Sequence, residues 1–296
     1  KGWYHMRKSG ILLHISSLPG PGGIGSMGKE AYAFEAELLL EKAAGLNRTA
    51  LFLRGEESLS DESLMVYEDY LFERERGRPT QYILGEWEFM GLPFHVGEGV
   101  LIPRSDTEVL VETILEKQQA EPMKSILDIG TGSGCIPVSL GHYGKFEKIM
   151  AVDISPKALG YATKNAAENR IKIDFYESDL FTNVPEEWKG NLDAIVSNPP
   201  YIPKKDIEEL MTEVKDFEPM NALDGGEDGL DFYRAIVEQA KVWLKDGGWL
   251  FFEIGYDQGE DLRSLLHESG YTEIEIRQDL AGLDRVALGR KGDHNV

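Results

Sequence analysis

Cysteine is nearly absent: Cys135 is the one thiol among 296 residues. An internal disulfide is therefore excluded, and a reducing, cytoplasmic compartment is the expected location. The thiol sits in a glycine-rich turn with no histidine in the ten residues before it, so a small buried residue is expected there rather than an activated nucleophile. One cysteine and six histidines give no zinc-type spacing, and no metal site is expected. Long apolar runs are missing too. Nothing reaches the roughly 18 residues that a membrane-spanning helix needs. A G-x-x-x-x-G-K-[ST] sequence is also absent, which excludes a P-loop phosphate cradle.

Basic residues are the minority charge. Lys and Arg number 31 against 52 Asp and Glu, for a net charge of -21. Binding to a phosphate backbone rests on Lys and Arg neutralising phosphates, so the balance argues against direct nucleic-acid binding and favours a protein or small-molecule substrate. What is present in quantity is core material. Apolar residues make up 42% of the chain, enough for one large domain and a smaller one at this length.

Composition changes along the chain. Glu37 to Ala44 and Asp61 to Arg76 are helix-like, with Leu64, Tyr67 and Leu71 returning at three- and four-residue spacing, and Asp61 and Glu62 suit a helix start. Tyr82-Ile83-Leu84, Trp87-Glu88-Phe89 and Phe94-His95-Val96, broken by Gly85, Gly91, Pro93 and Gly97, read as a β-hairpin. Glu108 to Glu116 reads as a short helix, and Lys117 to Lys124 as a polar surface connection. Five strands then alternate with helices: Ile126 to Asp128, Lys148 to Val152, Ile171 to Phe175, Leu192 to Val196 and Trp249 to Ile254, with helices over Ile136 to His142, Pro156 to Asn169 and Leu230 to Leu244. Glu273 to Arg277 and Arg285 to Leu288 close the sheet as an antiparallel hairpin. The expectation is an α/β fold: a doubly wound, mostly parallel seven-stranded sheet with a small N-terminal helical domain and a β-hairpin. The chain divides into an atypical extension over 1–34, a helical unit over 35–80, a hairpin and connecting helix over 81–124, the β/α unit over 125–290 and a tail over 291–296.

Between the first expected strand and its helix lies Asp128-Ile129-Gly130-Thr131-Gly132-Ser133-Gly134. Glycines there allow positive φ and close approach of a ligand to the backbone, and ligands collect at the carboxyl ends of parallel strands. A dinucleotide fingerprint would need glycine at 135, where Cys135 stands, which counts against NAD. Asp153 ends the next strand, where a carboxylate can accept both hydroxyls of a ribose, and Asp179 adds an acid at the third. A tight βα turn and a capping aspartate are the structural alternatives. Taken together, three acidic or glycine-rich strand ends without a pyrophosphate cradle describe an adenosine site, and S-adenosylmethionine fits it.

The fourth strand ends in Ser197-Asn198-Pro199-Pro200-Tyr201. Two prolines donate no backbone hydrogen bond and stop the strand, leaving carbonyls unpaired. An amide or aryl-amine nitrogen is a poor nucleophile because its lone pair is delocalised. The Asn198 side-chain oxygen and the Pro199 carbonyl can accept its hydrogens, and Tyr201 can lie against a planar substrate. A strand-terminating turn is the bland alternative.

These residues resemble the class I S-adenosylmethionine-dependent methyltransferases, and within them the release factor glutamine methyltransferases (PrmC/HemK). The likeness runs through Gln81-Tyr82-Ile83, Gly85, Phe89, Gly91, Phe94 and Val96, VLIPRSDTE over 100–108, LDIGTGSG, AVDIS, SDLF, SNPPYIP and EPMNALDGGEDGLDFYR over 218–234, covering roughly residues 35 to 290. It implies transfer of a methyl group from S-adenosyl-L-methionine to the glutamine amide nitrogen of the Gly-Gly-Gln motif of class 1 peptide chain release factors. It also implies a cofactor site of Gly130, Thr131, Gly132, Ser133, Gly134, Asp153, Asp179, Leu180 and Asn198, covered by Phe94. Asn198, Pro199, Pro200 and Tyr201 would hold the glutamine, the helical domain would help dock the release factor, and Arg104 and Glu108 would line the substrate side or form an ion pair that packs the hairpin. Two rivals remain: an N6-adenine DNA or RNA methyltransferase, which needs the same kind of clamp, and a chain that binds the cofactor without turnover. Residues 7–34 resemble instead the opening of the 4-α-glucanotransferases, whose barrel and acidic catalytic groups nothing later supplies. The apolar run Ile11 to Leu13 is too short for a signal-peptide core, so export is not inferred.

Overall fold

A computed structural model describes residues 29–54 and 59–292, so most of the glucanotransferase-like stretch lies outside the described residues. The chain forms two compact units. The first ends at Gly85 and takes in the later segment Met211–Phe217; the second holds the remainder.

The first unit is helical: α1 (Lys29–Ala44), α2 (Arg48–Leu53), α3 (Asp61–Glu75) and α4 (Thr80–Leu84). Tyr32, Ala36, Leu39 and Leu40 form one stripe of α1 and meet Leu51, Tyr67 and Leu71 in a small apolar core. Ser60 caps α3, its hydroxyl accepting from Ser63 N at 3.1 Å. Arg74, fully buried on α3, pairs with Glu35 at 2.5 Å and with Glu213 at 2.8 Å, so the segment around the short helix α8 (Thr212–Lys215) is fastened to a unit that ended far earlier in sequence. Nothing in the local pattern of residues 211–217 signals that return.

The second unit opens with the hairpin β1 (Glu86–Phe89) and β2 (Leu92–His95), followed by α5 (Asp106–Ala120). Then come β3 (Ser125–Ile129), α6 (Cys135–Tyr143), β4 (Lys148–Asp153), α7 (Pro156–Glu168), β5 (Asp174–Glu177), β6 (Leu192–Ser197), α9 (Asp231–Trp243), β7 (Leu244–Glu253), α10 (Gly259–Glu268), β8 (Tyr271–Gln278) and β9 (Asp284–Lys291). The seven-stranded sheet has the order β5-β4-β3-β6-β7-β9-β8, parallel through β7 and antiparallel at β9 and β8. The doubly wound, mostly parallel sheet expected from the sequence is therefore present.

Alternation along the strands builds two cores. Leu127, Ile129, Met150, Val152, Ile195, Leu250 and Phe252 face α9 and α10, whereas Ile126, Ile149, Ala194, Val196, Trp249 and Phe251 face α5 and α6. The α9 stripe Tyr233, Ile236, Val237, Ala240 and Trp243 returns at three and four residues, which is why that stretch is a helix and why one side of it is buried. The chain enters the sheet at β3, winds outward to β5 and then crosses to β6 on the other side of β3. The β3/β6 boundary is thus the topological switch point, where open α/β sheets leave a crevice at their carboxyl ends.

Three local expectations are corrected. Tyr82-Ile83-Leu84 belongs to α4 rather than the hairpin, because Gly85 in the left-handed conformation closes a helical turn there, its N–H donating to Gln81 O at 2.8 Å. Lys117 to Ala120 continues α5, and the chain leaves the helix only at Glu121, just ahead of Pro122. The third strand begins at Asp174, not Ile171, because Arg170 at φ 60° and Ile171 are spent closing α7, with Ile171 N donating to Ala166 O at 2.9 Å.

Candidate active site

The strand tips at the switch point surround a cavity of about 280 Å³ within the second unit. Asp193 anchors the opposite ends of β3 and β6: its Oδ2 accepts from Lys124 N, Ser125 N and Ser125 Oγ at 2.9 to 3.0 Å, and its Oδ1 pairs with Lys245. At the cavity end Ser197 Oγ donates to Ile129 O at 2.7 Å, and Ile129 and Ser197 are register partners. The residues that follow each strand, Gly130 and Asn198, are therefore placed side by side by the sheet itself.

Gly130 N and Thr131 N both donate to Val152 O, at 2.9 and 3.0 Å, which ties the turn to the end of β4. Gly130, Gly132 and Gly134 all have positive φ. At Gly130 and Gly132 a Cβ would meet no atom within 4 Å, because those faces of the backbone open on the cavity they line. Gly134 serves packing instead: a Cβ there would sit 3.1 Å from Ala162 Cα and Cβ of α7. Each oxygen of Asp153 accepts one backbone N–H, Oδ2 from Gly132 at 2.8 Å and Oδ1 from Ser155 at 2.9 Å. That fixes the carboxylate while leaving each oxygen a lone pair for a diol.

After β5, Leu180 holds φ 48°, a strained conformation for a side chain of its size, stabilised by Ser178 Oγ donating to Leu180 O at 2.9 Å. Ser178, Asp179 and Leu180 all line the cavity. Buried beside it, Asp128 is 1% exposed and neither of its carboxylate oxygens makes a well-formed hydrogen bond. Burial pushes its pKa up to about 7, with the Thr131 hydroxyl opposing that rise and Asp153 adding to it. An under-satisfied buried acid at the first strand tip suits a cationic ligand. Cys135 is buried in the wall, its thiol pushed up to about 12 by burial first of all, which leaves it an inert lining group.

The structure thus brings together Gly130, Thr131, Gly132, Ser133, Asp153, Asp179, Leu180, Asn198, Pro199, Pro200 and Arg104 on one cavity. It places four other expected site residues elsewhere. Gly134 packs behind the turn, as above. Phe94 is fully buried, edge-on to Phe89 with ring centroids 6.1 Å apart, because the inward face of β2 points into the core rather than the cavity. Tyr201 turns away, its hydroxyl donating to Glu253 Oε1 at 3.4 Å, and does not line the cavity. Glu108 accepts from Met90 N at 3.0 Å and so fixes the hairpin turn. The expected Arg104 to Glu108 ion pair is replaced by one between Arg104 and Glu218, a carboxylate that also accepts from Ile102 N at 3.3 Å.

Reading the sequence missed several contributors. Thr107, buried at the start of α5 and itself part of the cavity wall, accepts from Asn198 Nδ2 at 3.4 Å. Pro219, Asn221 and Ala222 form part of the wall. Asn165, fully buried on α7, donates from Nδ2 to Ser133 O at 2.8 Å and to His95 O at 3.0 Å, and its Oδ1 accepts from His95 N at 2.7 Å, so the hairpin braces the glycine turn. An asparagine at a buried helical position was the available signal.

The PrmC N-terminal domain family matches residues 26–85, and the methyltransferase small domain family matches residues 104–215. The chain is similar to a release factor glutamine methyltransferase of Clostridium acetobutylicum, 42% identical over 267 residues covering 89% of this chain and 93% of that protein. It is equally similar to the release factor glutamine methyltransferase of Geobacter sulfurreducens, 42% identical over 271 residues, 92% of this chain and 94% of that one. In fold it is similar to a methyltransferase from Pyrococcus furiosus, with a TM-score of 0.53 at 18% identity over 69% of this chain and 91% of that one. A T. thermophilus 16S rRNA methyltransferase in complex with AdoMet and guanosine gives a TM-score of 0.52 at 20% identity, over 70% of this chain and 49% of that one. At these identities the two solved structures speak to fold alone.

Proposed function

The chain belongs to the release factor glutamine methyltransferase family, and from that premise we propose that it methylates the side-chain amide nitrogen of the glutamine in the Gly-Gly-Gln motif of class 1 peptide chain release factors, with S-adenosyl-L-methionine held at the tips of β3, β4 and β5. One observation carries the reading: Ile129 and Ser197 pair in register, which sets the glycine turn and Asn198 on neighbouring strand tips of one cavity.

The residues present suit that cofactor. The open backbone at Gly130 and Gly132 is a cradle that a side chain would fill. Asp153 is positioned to accept a ribose diol, and the under-satisfied Asp128 carboxylate favours a positively charged neighbour. When bound, S-adenosylmethionine supplies an electrophilic methyl on a sulfonium centre. The chain's own part is placement. Asn198 Oδ1 and the Pro199 carbonyl accept the two hydrogens of the substrate amide, which turns its lone pair out of conjugation and toward the methyl carbon. Methyl transfer from a cofactor bound there would form the new C–N bond as the donor's carbon–sulfur bond broke, with the proton lost from the nitrogen passing to solvent. Preorganised acceptors, costing no reorganisation at the moment of reaction, supply most of the acceleration.

The test is incubation of the protein and methyl-labelled cofactor with a release factor in one arm and with duplex and single-stranded nucleic acid in others. Label confined to the release factor supports the proposal. Label on nucleic acid alone supports the N6-adenine alternative, and cofactor binding without transfer to any of them supports an inactive chain.

A further inference from the structure

We infer that the glycine-rich return over 223–229 is a brace for the substrate clamp, in which Gly225 and Gly229 are positioning residues that fix the Pro199 carbonyl by packing against the backbone of Tyr201. The inference rests on the role proposed above for Asn198 and Pro199. No residue of 223–229 lines the cavity, although the sequence likeness runs through all of them. They lie instead against the chain that leaves the clamp. Ile202 N donates to Leu223 O at 3.1 Å, Gly225 N to Ile202 O at 2.9 Å and Lys204 N to Gly226 O at 2.9 Å, so the two segments run side by side as a short parallel ladder. Within it the space for a side chain is missing at two points. A Cβ on Gly225 would stand 2.7 Å from Tyr201 Cα and 2.8 Å from Tyr201 C, and one on Gly229 would meet Tyr201 O directly. The same carbonyl accepts from Gln258 Nε2 at 3.1 Å, and Gln258 is itself buried just ahead of α10, with its Oε1 accepting from Gly255 N at 2.9 Å.

Two adjacent prolines make such a brace necessary. Neither Pro199 nor Pro200 has a backbone N–H to tie it down, so the Pro199 carbonyl takes its direction from what is held on either side. Upstream, Ser197 is fixed in β6 by its pairing with Ile129. Downstream, the Tyr201 backbone is the next point held. Between them the proline rings lock two φ angles, so a shift at Tyr201 reaches the Pro199 carbonyl rather than being absorbed on the way. Gly225 has little freedom to give way. Its N–H is used on Ile202, and its carbonyl accepts from Asp231 N, the first residue of α9, at 3.2 Å. Carbon atoms pack at about 3.5–4.0 Å, so an alanine at 225 would part the two backbones by roughly 1 Å. Misplacement by about 1 Å at a reacting group costs on the order of a hundredfold in rate. The Gly225 backbone lies outside the left-handed region, so close approach alone calls for glycine there, whereas Gly229 at φ 79° needs it on both counts. Tyr201 thereby serves the clamp through its backbone, even though it does not line the cavity.

The test uses the full-length protein, an intact release factor and S-adenosylmethionine, with kcat expressed per cofactor-binding site counted by calorimetry. For Gly225→Ala we expect kcat to fall about ten- to a hundredfold, while KM for the release factor and Kd for the cofactor stay within about twofold. Gly270→Ala is the control for strain alone. It follows α10 at φ 81° with no atom within 4 Å of the added Cβ, so it should lower Tm and leave kcat per site unchanged. Gln258→Ala removes the tie to Tyr201 O without adding bulk, and it should lower kcat about three- to tenfold at unchanged Kd. A Gly225→Ala variant whose kcat stays within about twofold of wild type would overturn the inference, as would a loss matched by an equal loss of cofactor affinity or reproduced by Gly270→Ala. Should Gly225→Ala not fold, Gln258→Ala decides by itself: the expected fall in kcat at unchanged Kd supports the brace, and wild-type kcat refutes it. Wild-type protein that leaves the release factor unmethylated instead refutes the proposed function, so the two failures are distinguishable.

Discussion

Replacing Asn198 by alanine removes one of the two acceptors proposed to hold the reacting amide, and the structure fixes what else it disturbs. The side chain is half-buried and makes one hydrogen bond, a long one of 3.4 Å to Thr107. Its loss costs the fold about 1 kcal/mol or less, which moves Tm by roughly 2–4 °C in a unit of this size. The turn at Gly130 is held by backbone hydrogen bonds to Val152 O of β4, and the Asp153 carboxylate by the N–H groups of Gly132 and Ser155, none of which involves Asn198. Cofactor affinity should therefore be little changed. Turnover should not survive, since removal of one preorganised polar group aimed at the reacting centre costs about a hundred- to a thousandfold, or ~3–4 kcal/mol. The assay is single-turnover methylation of a purified release factor with labelled cofactor, beside calorimetric Kd and Tm for each protein. A variant that keeps Kd, Tm and turnover within twofold of wild type would refute the clamp. A variant that loses cofactor binding in step with turnover would assign Asn198 to the cofactor alone.

Three further outcomes follow from the same geometry. Asp153→Asn turns an NH2 toward either Gly132 N or Ser155 N, so Kd for S-adenosylmethionine should weaken about ten- to a hundredfold, ~1.4–2.8 kcal/mol, by calorimetry; unchanged affinity would remove Asp153 from the cofactor site. Gly134→Ala forces a side chain to φ 80° and to 3.1 Å from Ala162, so it should cost ~2–3 kcal/mol and lower Tm by roughly 5–10 °C. At Asp193 burial alone would raise the pKa, but Lys245, Ser125 and Lys124 outweigh it and hold the carboxyl below its ordinary 3.8. A depressed folded-state pKa stabilises the protein above 3.8 and loses that contribution as pH falls through the folded value, so Asp193→Asn should lose ~2–4 kcal/mol in denaturant titrations at pH 7 and show a shallower acid limb than wild type; parallel acid limbs would contradict the anchor role.

Much of the β/α unit was legible because its signals are local. Short apolar runs, the glycine turn and the double proline each declare a strand or its end within a few residues, and their alternation with helices declares a parallel sheet but not the order of its strands. The stretches misread were those where a short-range pattern has two solutions. Tyr82-Ile83-Leu84 is apolar enough for a strand, but a left-handed Gly85 makes it a helical turn, and Ile171 has strand character yet is used to close α7. Long-range partners were the main loss. No spacing rule connects Arg104 to Glu218, Asn198 to Thr107 or Arg74 to Glu213, because each bond depends on how loops return across the fold. Tyr201 shows the same limit: its motif marks the site, but whether the ring faces substrate or Glu253 is decided by β7, about fifty residues on.

The central claim is that two adjacent strand tips hold a methyl donor and a carboxamide nitrogen in line. Fragmentation mass spectrometry of a release factor treated with the protein and S-adenosylmethionine tests it most directly. The account predicts one added methyl, located on the side-chain nitrogen of the Gly-Gly-Gln glutamine and absent when Asn198→Ala replaces the wild type. A methyl on any other residue, or an unmodified glutamine beside consumed cofactor, would contradict it.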